Sequence, residues 1–218
     1  TGEALGTLCV LDREPRQLSA LQREALETLA QSAVSEMELR RRLHHLQAEA
    51  QRRAHAEAHL HHLATRDPLT GLTNRTTLRD RLDQQLRLAQ RHQRGLALIV
   101  LGLDRFKLIN DSLGHDVGDV VLSVSAGRLV QALRDSDTVA RLGADEFAVL
   151  VHDLEQPEQA LALASKLLHK LAEPIDIEGQ RLQAAASAGV ALFPPHGESP
   201  ELLLRHADLA LLEAKARG

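Results

Sequence analysis

The sequence predicts an α+β fold: a central, mostly antiparallel sheet flanked by helices, behind one long N-terminal helix. Three observations predict it. From Leu96 onward the elements read strand, helix, strand, strand, helix, strand, which is the split β-α-β order of ferredoxin-like folds. The run "LALIVLGL", Leu96 to Leu103, is almost continuously apolar, as a central strand buried on both faces must be. Ahead of these, a helical pattern runs from about Ala20 to about Ala64, until Asp67-Pro68 stops it.

Taken in order, Leu5 to Leu11 reads as a strand and "REPRQ" as a turn, and Ser19 is placed to cap the long helix. The first part of that helix carries Leu21, Leu26, Leu29, Ala30, Ala33 and Val34 on a packing face. In its second part Leu39, Leu43, Leu46, Ala50, Leu60 and Ala64 fall on a heptad-like seam, interrupted by Arg53 and Glu57. Such a seam predicts a parallel coiled coil and so a homodimer; a solvated linker helix is the alternative. Thr77 to His92 reads as a helix, with Leu78, Leu82 and Leu86 on one face and Gly95 as its stop. After the central strand, "FKLINDSLGHDVGD" leads into a helix from about Asp119 to Arg134. "VARLGADEFAVLV", Val139 to Val151, reads as a hairpin with Gly143-Ala144-Asp145-Glu146 at its tip. A helix from Pro157 to about Ala172 follows, then a small hairpin turning at Glu178-Gly179, then the strand "LQAAASAGVALF". Ser199-Pro200 pairs a cap with an N1 proline for the last helix.

Composition narrows the function. The chain has 218 residues, 44% hydrophobic and 26% charged, enough for one good core and an appendage. A net charge of -4 argues against bulk binding to a nucleic-acid polymer. With no Trp, no Tyr and only Phe106, Phe147 and Phe193, there is no aromatic platform for stacking bases. Base recognition would rest on hydrogen bonds. The single Cys9 excludes an internal disulfide framework, which fits the cytoplasm. No apolar run is long enough to span a membrane. The chain opens without Met and almost directly on a strand, as a piece of a longer protein would. The 12 histidines include His55 and His59, one helical turn apart, but no Cys or acid completes a site there, and a solvated face is the simpler reading.

In a split β-α-β sheet the first strand lies centrally beside the hairpin. Its end, with Asp104, should therefore approach Asp145 and Glu146. Carboxylates converging from two strand ends commonly hold Mg²⁺ for phosphoryl or nucleotidyl transfer. A tight glycine-containing turn lets backbone N–H groups approach phosphates, and Lys107 and Lys215 could add positive charge. A hairpin with merely solvated acids is the alternative.

The ordered set "DPLTGLTNR", "LDRFKLINDSLGHDVGD", "RDSDTVARLGADEF", "SAGVALFP" and "ADLALLEAKARG" resembles a GGDEF domain over Asp67 to Gly218. The resemblance implies the palm-type nucleotidyl cyclase fold. It implies diguanylate cyclase chemistry, in which two GTP condense to cyclic di-GMP with Mg²⁺ or Mn²⁺. It places Asn110 and Asp119 on guanine, and Lys107 and Lys215 on phosphates. Gly143 and Ala144 fall in the substrate-binding turn, with Asp145 as a metal ligand and Glu146 in the catalytic turn. The backbone of Leu103 is a further metal ligand. Arg134 and Asp137 match an RxxD inhibitory site for cyclic di-GMP.

Two positions depart from the family pattern. The first Asp of Asp-x-Asp-x-Phe-Lys is Gly102 here, and Asp104 stands about 6–7 Å further along the strand, too far to replace it. Ala144 replaces the second glycine of the turn and costs roughly 1 kcal/mol if that position needs positive φ. Leu212 also stands where the family often has Tyr. These changes predict a degenerate module that binds GTP or cyclic di-GMP and regulates an output domain. An active cyclase with an altered metal shell and a purely structural dimerisation relay are the rivals. Residues 1–38 resemble the C-terminal end of a GAF sensory domain, residues 39–66 a signalling helix, and residues 67–218 a GGDEF domain of the kind that precedes an EAL phosphodiesterase.

Overall fold

The computed structural model describes residues 9, 11, 13–15, 17–177 and 179–217, with the backbone alone over 54–63. Contacts divide the chain into two units, Thr1–Leu60 and His61–Gly218.

Helix α1 (Ala20–Thr65) begins at a reciprocal cap. The Gln22 N–H donates to Ser19 Oγ at 3.3 Å, and the Ser19 N–H donates to Gln22 Oε1 at 2.9 Å. Leu39, Leu43 and Leu46 of the expected seam are 59%, 49% and 60% exposed, so within one chain that stripe has no cover. The strand expected over Leu5 to Leu11 lies outside the described residues except at Cys9 and Leu11, which are in no strand.

The second unit opens with a two-residue strand, β1 (Thr73–Asn74), and helix α2 (Arg75–His92). This helix starts two residues before the expected Thr77, because Asn74 caps it by accepting the Thr77 N–H at 3.0 Å. It ends on left-handed Gln93, so Gly95 is not its stop but the first residue of β2 (Gly95–Leu103). The helix expected from about Asp119 to Arg134 is α4 (His115–Ala132), four residues earlier at its start, and the stretch leading into it forms a helix of its own, α3 (Phe106–Leu113). Gly114, at φ +90, makes the break that only glycine adopts cheaply. Asp119 therefore lies inside α4 and cannot be its N-cap, and Arg134 lies beyond the helix end. Strands β3 (Thr138–Arg141) and β4 (Glu146–Leu154) form the expected hairpin. Helix α5 (Pro157–Leu171), the short pair β5 (Ile175–Ile177) and β6 (Gln180–Leu182), strand β7 (Ala186–Phe193) and helix α6 (Pro200–Arg217) complete the chain. The stretch read as one strand from Leu182 is thus interrupted at 183–185.

The sheet order is β1-β3-β4-β2-β7, with β1 parallel to β3 and every other pair antiparallel. From β2 onward this is the ferredoxin-like order. Central β2 alternates between two cores. Ile99, Leu101 and Leu103 pack with Val121, Leu129, Phe147 and Leu167 under α4 and α5. Leu96, Leu98 and Val100 pack with Leu78, Leu82, Leu203 and Leu211 under α2 and α6. Gly102 shares the parity of Val100 and so faces α6. Helix α6 lies very close to the sheet at Gly189, where a Cβ would collide with the backbone of Ala207 and Leu211. This approach carries the last turn of α6 over the C-terminal end of β2.

Candidate functional site

The register sets Gly102 opposite Glu146 on β4 and opposite Ser187 on β7. The hairpin tip therefore meets the end of β2, as the strand order requires. The Leu103 N–H donates to the Asp145 carbonyl at 3.1 Å, which locks tip to strand. Lys215 reaches down from α6, and its Nζ lies 3.5 Å from Asp145 Oδ2. The Asp104 N–H donates to the Ala185 carbonyl at 2.8 Å, and its carboxylate accepts the Ser187 hydroxyl at 2.9 Å. Asp104, Arg105, Ile109, Ser187 and Lys215 line a cavity of about 570 Å³, within the size range of small-molecule sites.

The turn itself is braced from below. The Arg141 guanidinium donates to the carbonyls of Gly143 at 3.0 Å and Ala144 at 2.9 Å, and to both oxygens of Asp67 at 3.1 and 3.3 Å. Asp67 also accepts the Thr70 N–H at 2.9 Å and the Thr70 hydroxyl at 2.7 Å. Burial alone would raise its pKa, but the Thr70 hydrogen bonds and Arg141 outweigh it, and the carboxyl is held below its usual value. With the turn carbonyls engaged this way, the backbone N–H groups of Gly143, Ala144 and Asp145 make no hydrogen bond among the described residues. Such free donors suit an anion. Neither Gly143 nor Ala144 has positive φ. The conformational cost expected at Ala144 is absent, because this turn needs no left-handed residue there.

Asn110 and Asp119 sit on consecutive helices. The Asn110 Oδ1 is buried without a hydrogen-bond partner among the described residues, pressed against Gly118, where a Cβ would have no room. Asp119 follows Gly118 and is exposed, as is Lys107 on α3. Neither side chain makes a hydrogen bond or ion pair with the hairpin tip among the described residues. Arg134 and Asp137 form a tight turn: the Asp137 N–H donates to the Arg134 carbonyl at 3.0 Å, and the Arg134 N–H donates to Asp137 Oδ2 at 3.1 Å. They line a separate cavity of about 410 Å³ with His152, Asp153 and Lys166. Sequence reasoning missed Arg141, Gly118 and Ser187 as supporting residues. Arg141 carried a weak signal, a lone cation two residues before the glycine turn; the other two carried none.

A mostly antiparallel sheet of this order, with helices on both faces and an acidic hairpin tip against the central strand end, defines a palm-type α+β fold. The comparisons sharpen that class. A profile described as "Diguanylate cyclase, GGDEF domain" matches residues 64–218, and the chain belongs to the GGDEF family. It is 48% identical over 164 residues to the cyclic di-GMP phosphodiesterase NbdA of Pseudomonas aeruginosa, covering 75% of this chain and 21% of that protein. It is 44% identical to the diguanylate cyclase TpbB of the same species, covering 74% of this chain and 38% of TpbB. The chain thus spans well under half the length of these relatives. Among solved structures, the GGDEF domain of TpbB matches with TM-score 0.69 and 42% identity, over 70% of this chain and 90% of that one. The coiled coil and GGDEF domain of DgcB from Caulobacter crescentus, in complex with c-di-GMP, matches with TM-score 0.74 and 28% identity, over 83% and 95%.

The divalent cations that cyclases of this family use are a poor fit to the residues present. Gly102 offers no side-chain oxygen. A Cβ built there would fall 2.5 Å from Lys215 Nζ and 2.7 Å from its Cε, so the ammonium occupies the space of a side chain at 102. Of the acids around the end of β2, Asp145 is already paired with Lys215, Asp104 accepts the Ser187 hydroxyl, and Glu146 is the cross-strand neighbour of Gly102. Among the described residues no three His, Cys, Asp or Glu side chains converge on a point. A +2 ion about 4 Å from the ammonium would be repelled by roughly 2 to 8 kcal/mol for effective dielectric constants of about 80 to 20.

Proposed function

We propose that this chain is a cyclic di-GMP signalling module of the GGDEF family that has lost most or all cyclase activity. It binds GTP, cyclic di-GMP or both, and regulates an attached output domain. The observation that carries this reading is Gly102 with the Lys215 ammonium standing over it, against intact nucleotide-handling features elsewhere. Asn110 keeps an unpartnered amide oxygen beside Gly118, suited to guanine with Asp119 next to it. The turn Gly143–Asp145 keeps its N–H donors for phosphate. Arg134 and Asp137 keep a preformed turn at the mouth of their own cavity, where cyclic di-GMP would bind. The c-di-GMP complex of DgcB supports the choice of ligand.

The larger arrangement is proposed on the same footing. Residues 1–38 end a GAF sensory domain, 39–66 relay its state as a parallel coiled coil in a cytoplasmic homodimer, and an EAL phosphodiesterase follows residue 218. The exposed Leu39, Leu43 and Leu46 support the dimer. The phosphodiesterase named among the relatives, of which this chain spans 21%, supports a partner domain. No helix among the described residues is long and apolar enough to cross a membrane.

Calorimetric titration with GTP and with cyclic di-GMP tests the reading, alongside a turnover assay with Mg²⁺ and Mn²⁺. Binding of at least one nucleotide without product is expected. Robust synthesis of cyclic di-GMP would establish the rival, an active cyclase using Asp145 and the Leu103 carbonyl with Glu146 and Lys107. Absence of all nucleotide binding would leave only a structural relay.

A further inference from the structure

We propose that Lys215 takes over the electrostatic role of a divalent cation at this site, so that the chain binds guanosine triphosphate without a metal ion. The inference rests on the reading of the site as one for a guanine nucleotide. Its basis is a displacement of charge. Where the family pattern places an aspartate, Gly102 leaves an open patch of sheet facing α6. The Lys215 ammonium fills it, 2.5 Å from the position a Cβ would take, with Leu211 Cδ2 closing the space at 3.4 Å.

The side chain is delivered there by the main chain. Gly189 lets α6 lie against β7, and Lys215 follows Leu211 by one helical turn on the same face. The Lys215 side chain is 31% exposed, and among the described residues its ammonium has one ion pair, with Asp145 at 3.5 Å. It can make three hydrogen bonds, and this single ion pair leaves donors for phosphate oxygens. The N–H groups of Gly143, Ala144 and Asp145, in the turn that carries this carboxylate, are also unspent among the described residues. Lys215 opens into the 570 Å³ cavity, with Arg105 at its wall as a second cation. A triphosphate entering this pocket meets the Lys215 ammonium and Arg105, with the Asp104 carboxylate on the same wall held by the Ser187 hydroxyl. A metal ion would meet Asp145 already paired with this ammonium, Asp104 holding the Ser187 hydroxyl, and the ammonium itself, which repels it.

The 218-residue chain is titrated with N-methylanthraniloyl-GTP in EDTA and in millimolar Mg²⁺. Affinity in EDTA within about threefold of that in Mg²⁺ is expected. Lys215→Met should weaken binding in EDTA by about 10- to 100-fold, the loss of a charged hydrogen-bond partner. Gly102→Asp needs only the flexible end of Lys215 to move, and should make binding depend on Mg²⁺. Without nucleotide, the parent should leave the electron paramagnetic resonance of free Mn²⁺ unchanged, and Gly102→Asp should diminish it. Circular dichroism confirms that each variant is folded; a misfolded Gly102→Asp leaves the parent and Lys215→Met measurements to decide. Parent affinity that rises tenfold or more with Mg²⁺, parent uptake of Mn²⁺, or undiminished binding by Lys215→Met would overturn the proposal alone. Failure of the parent to bind in either buffer would instead remove the guanine-nucleotide reading, and this inference with it.

Discussion

Arg141 holds the hairpin tip to Asp67, and replacing it should loosen both. Arg141→Met keeps the aliphatic stem and removes the guanidinium. Three partners lose their donor: the Asp67 carboxylate and the carbonyls of Gly143 and Ala144. Gly143 and Ala144 are exposed, so water replaces their bonds at little net cost. Asp67 is different. Its side chain is 19% exposed and that of Arg141 14%, so an unpaired carboxylate would stay largely out of water. One charge-assisted bond of this kind contributes roughly 1.5–3 kcal/mol. A loss of about 2–3 kcal/mol in a protein of this size lowers Tm by roughly 4–12 °C. Differential scanning calorimetry at neutral pH measures it. Asp67→Asn, which keeps an oxygen for Thr70, should lose about 1–2 kcal/mol by the same scale. Because the folded state holds the Asp67 pKa below its unfolded value, its stabilisation is complete above that unfolded value and is lost as pH falls through the folded one. The stability gap between the parent and Asp67→Asn should therefore close below about pH 4. An Arg141→Met Tm within about 2 °C of the parent, well under the shift worked above, would refute the brace. A gap unchanged between neutral and strongly acidic pH would refute the role given to the Asp67 charge.

Asp208 faces the opposite case. Asp208 is exposed, but partial desolvation on α6 pushes its pKa up, only partly offset by Arg75, so its charged form is slightly destabilising at neutral pH. Asp208→Asn should raise Tm slightly, by about 1 °C or less after solvent screening, with the gain fading as pH falls below the range where Asp208 ionises. Gly189→Val should push α6 off β7, because the added carbons meet helix backbone rather than a movable side chain. A loss of about 1–3 kcal/mol is expected in urea unfolding, together with weaker nucleotide binding, since Lys215 rides on the displaced helix. Retained stability in that variant would show that α6 does not need this approach. Arg134→Ala with Asp137→Ala should abolish cyclic di-GMP binding measured by calorimetry while GTP binding persists; unchanged affinity for cyclic di-GMP would rule out this turn as its site.

Local signals decided much of this protein. Apolar periodicity and caps placed α2, α5, α6 and the β3–β4 hairpin, because each is stabilised by contacts a few residues apart. The order of strands then fixed the sheet, since a split β-α-β chain has one common way to bury both faces of β2. The ordered motifs from Asp67 to Gly218 declared the family, and the loss of an oxygen at Gly102 is legible from the residue alone. Other features carry no local mark. Strand β1 is two residues long and exists because β3 is beside it. Gly114 reads as another loop glycine until its φ breaks α3 from α4. Ala144 looked costly because a glycine is expected there, yet backbone angles belong to the folded turn and Arg141, not to the tetrapeptide. Above all, Gly102 and Lys215 lie far apart in the chain. Only the close seat of α6 on Gly189 puts the ammonium into the space the missing side chain leaves, so the charge at this site was decided by packing between helix and sheet.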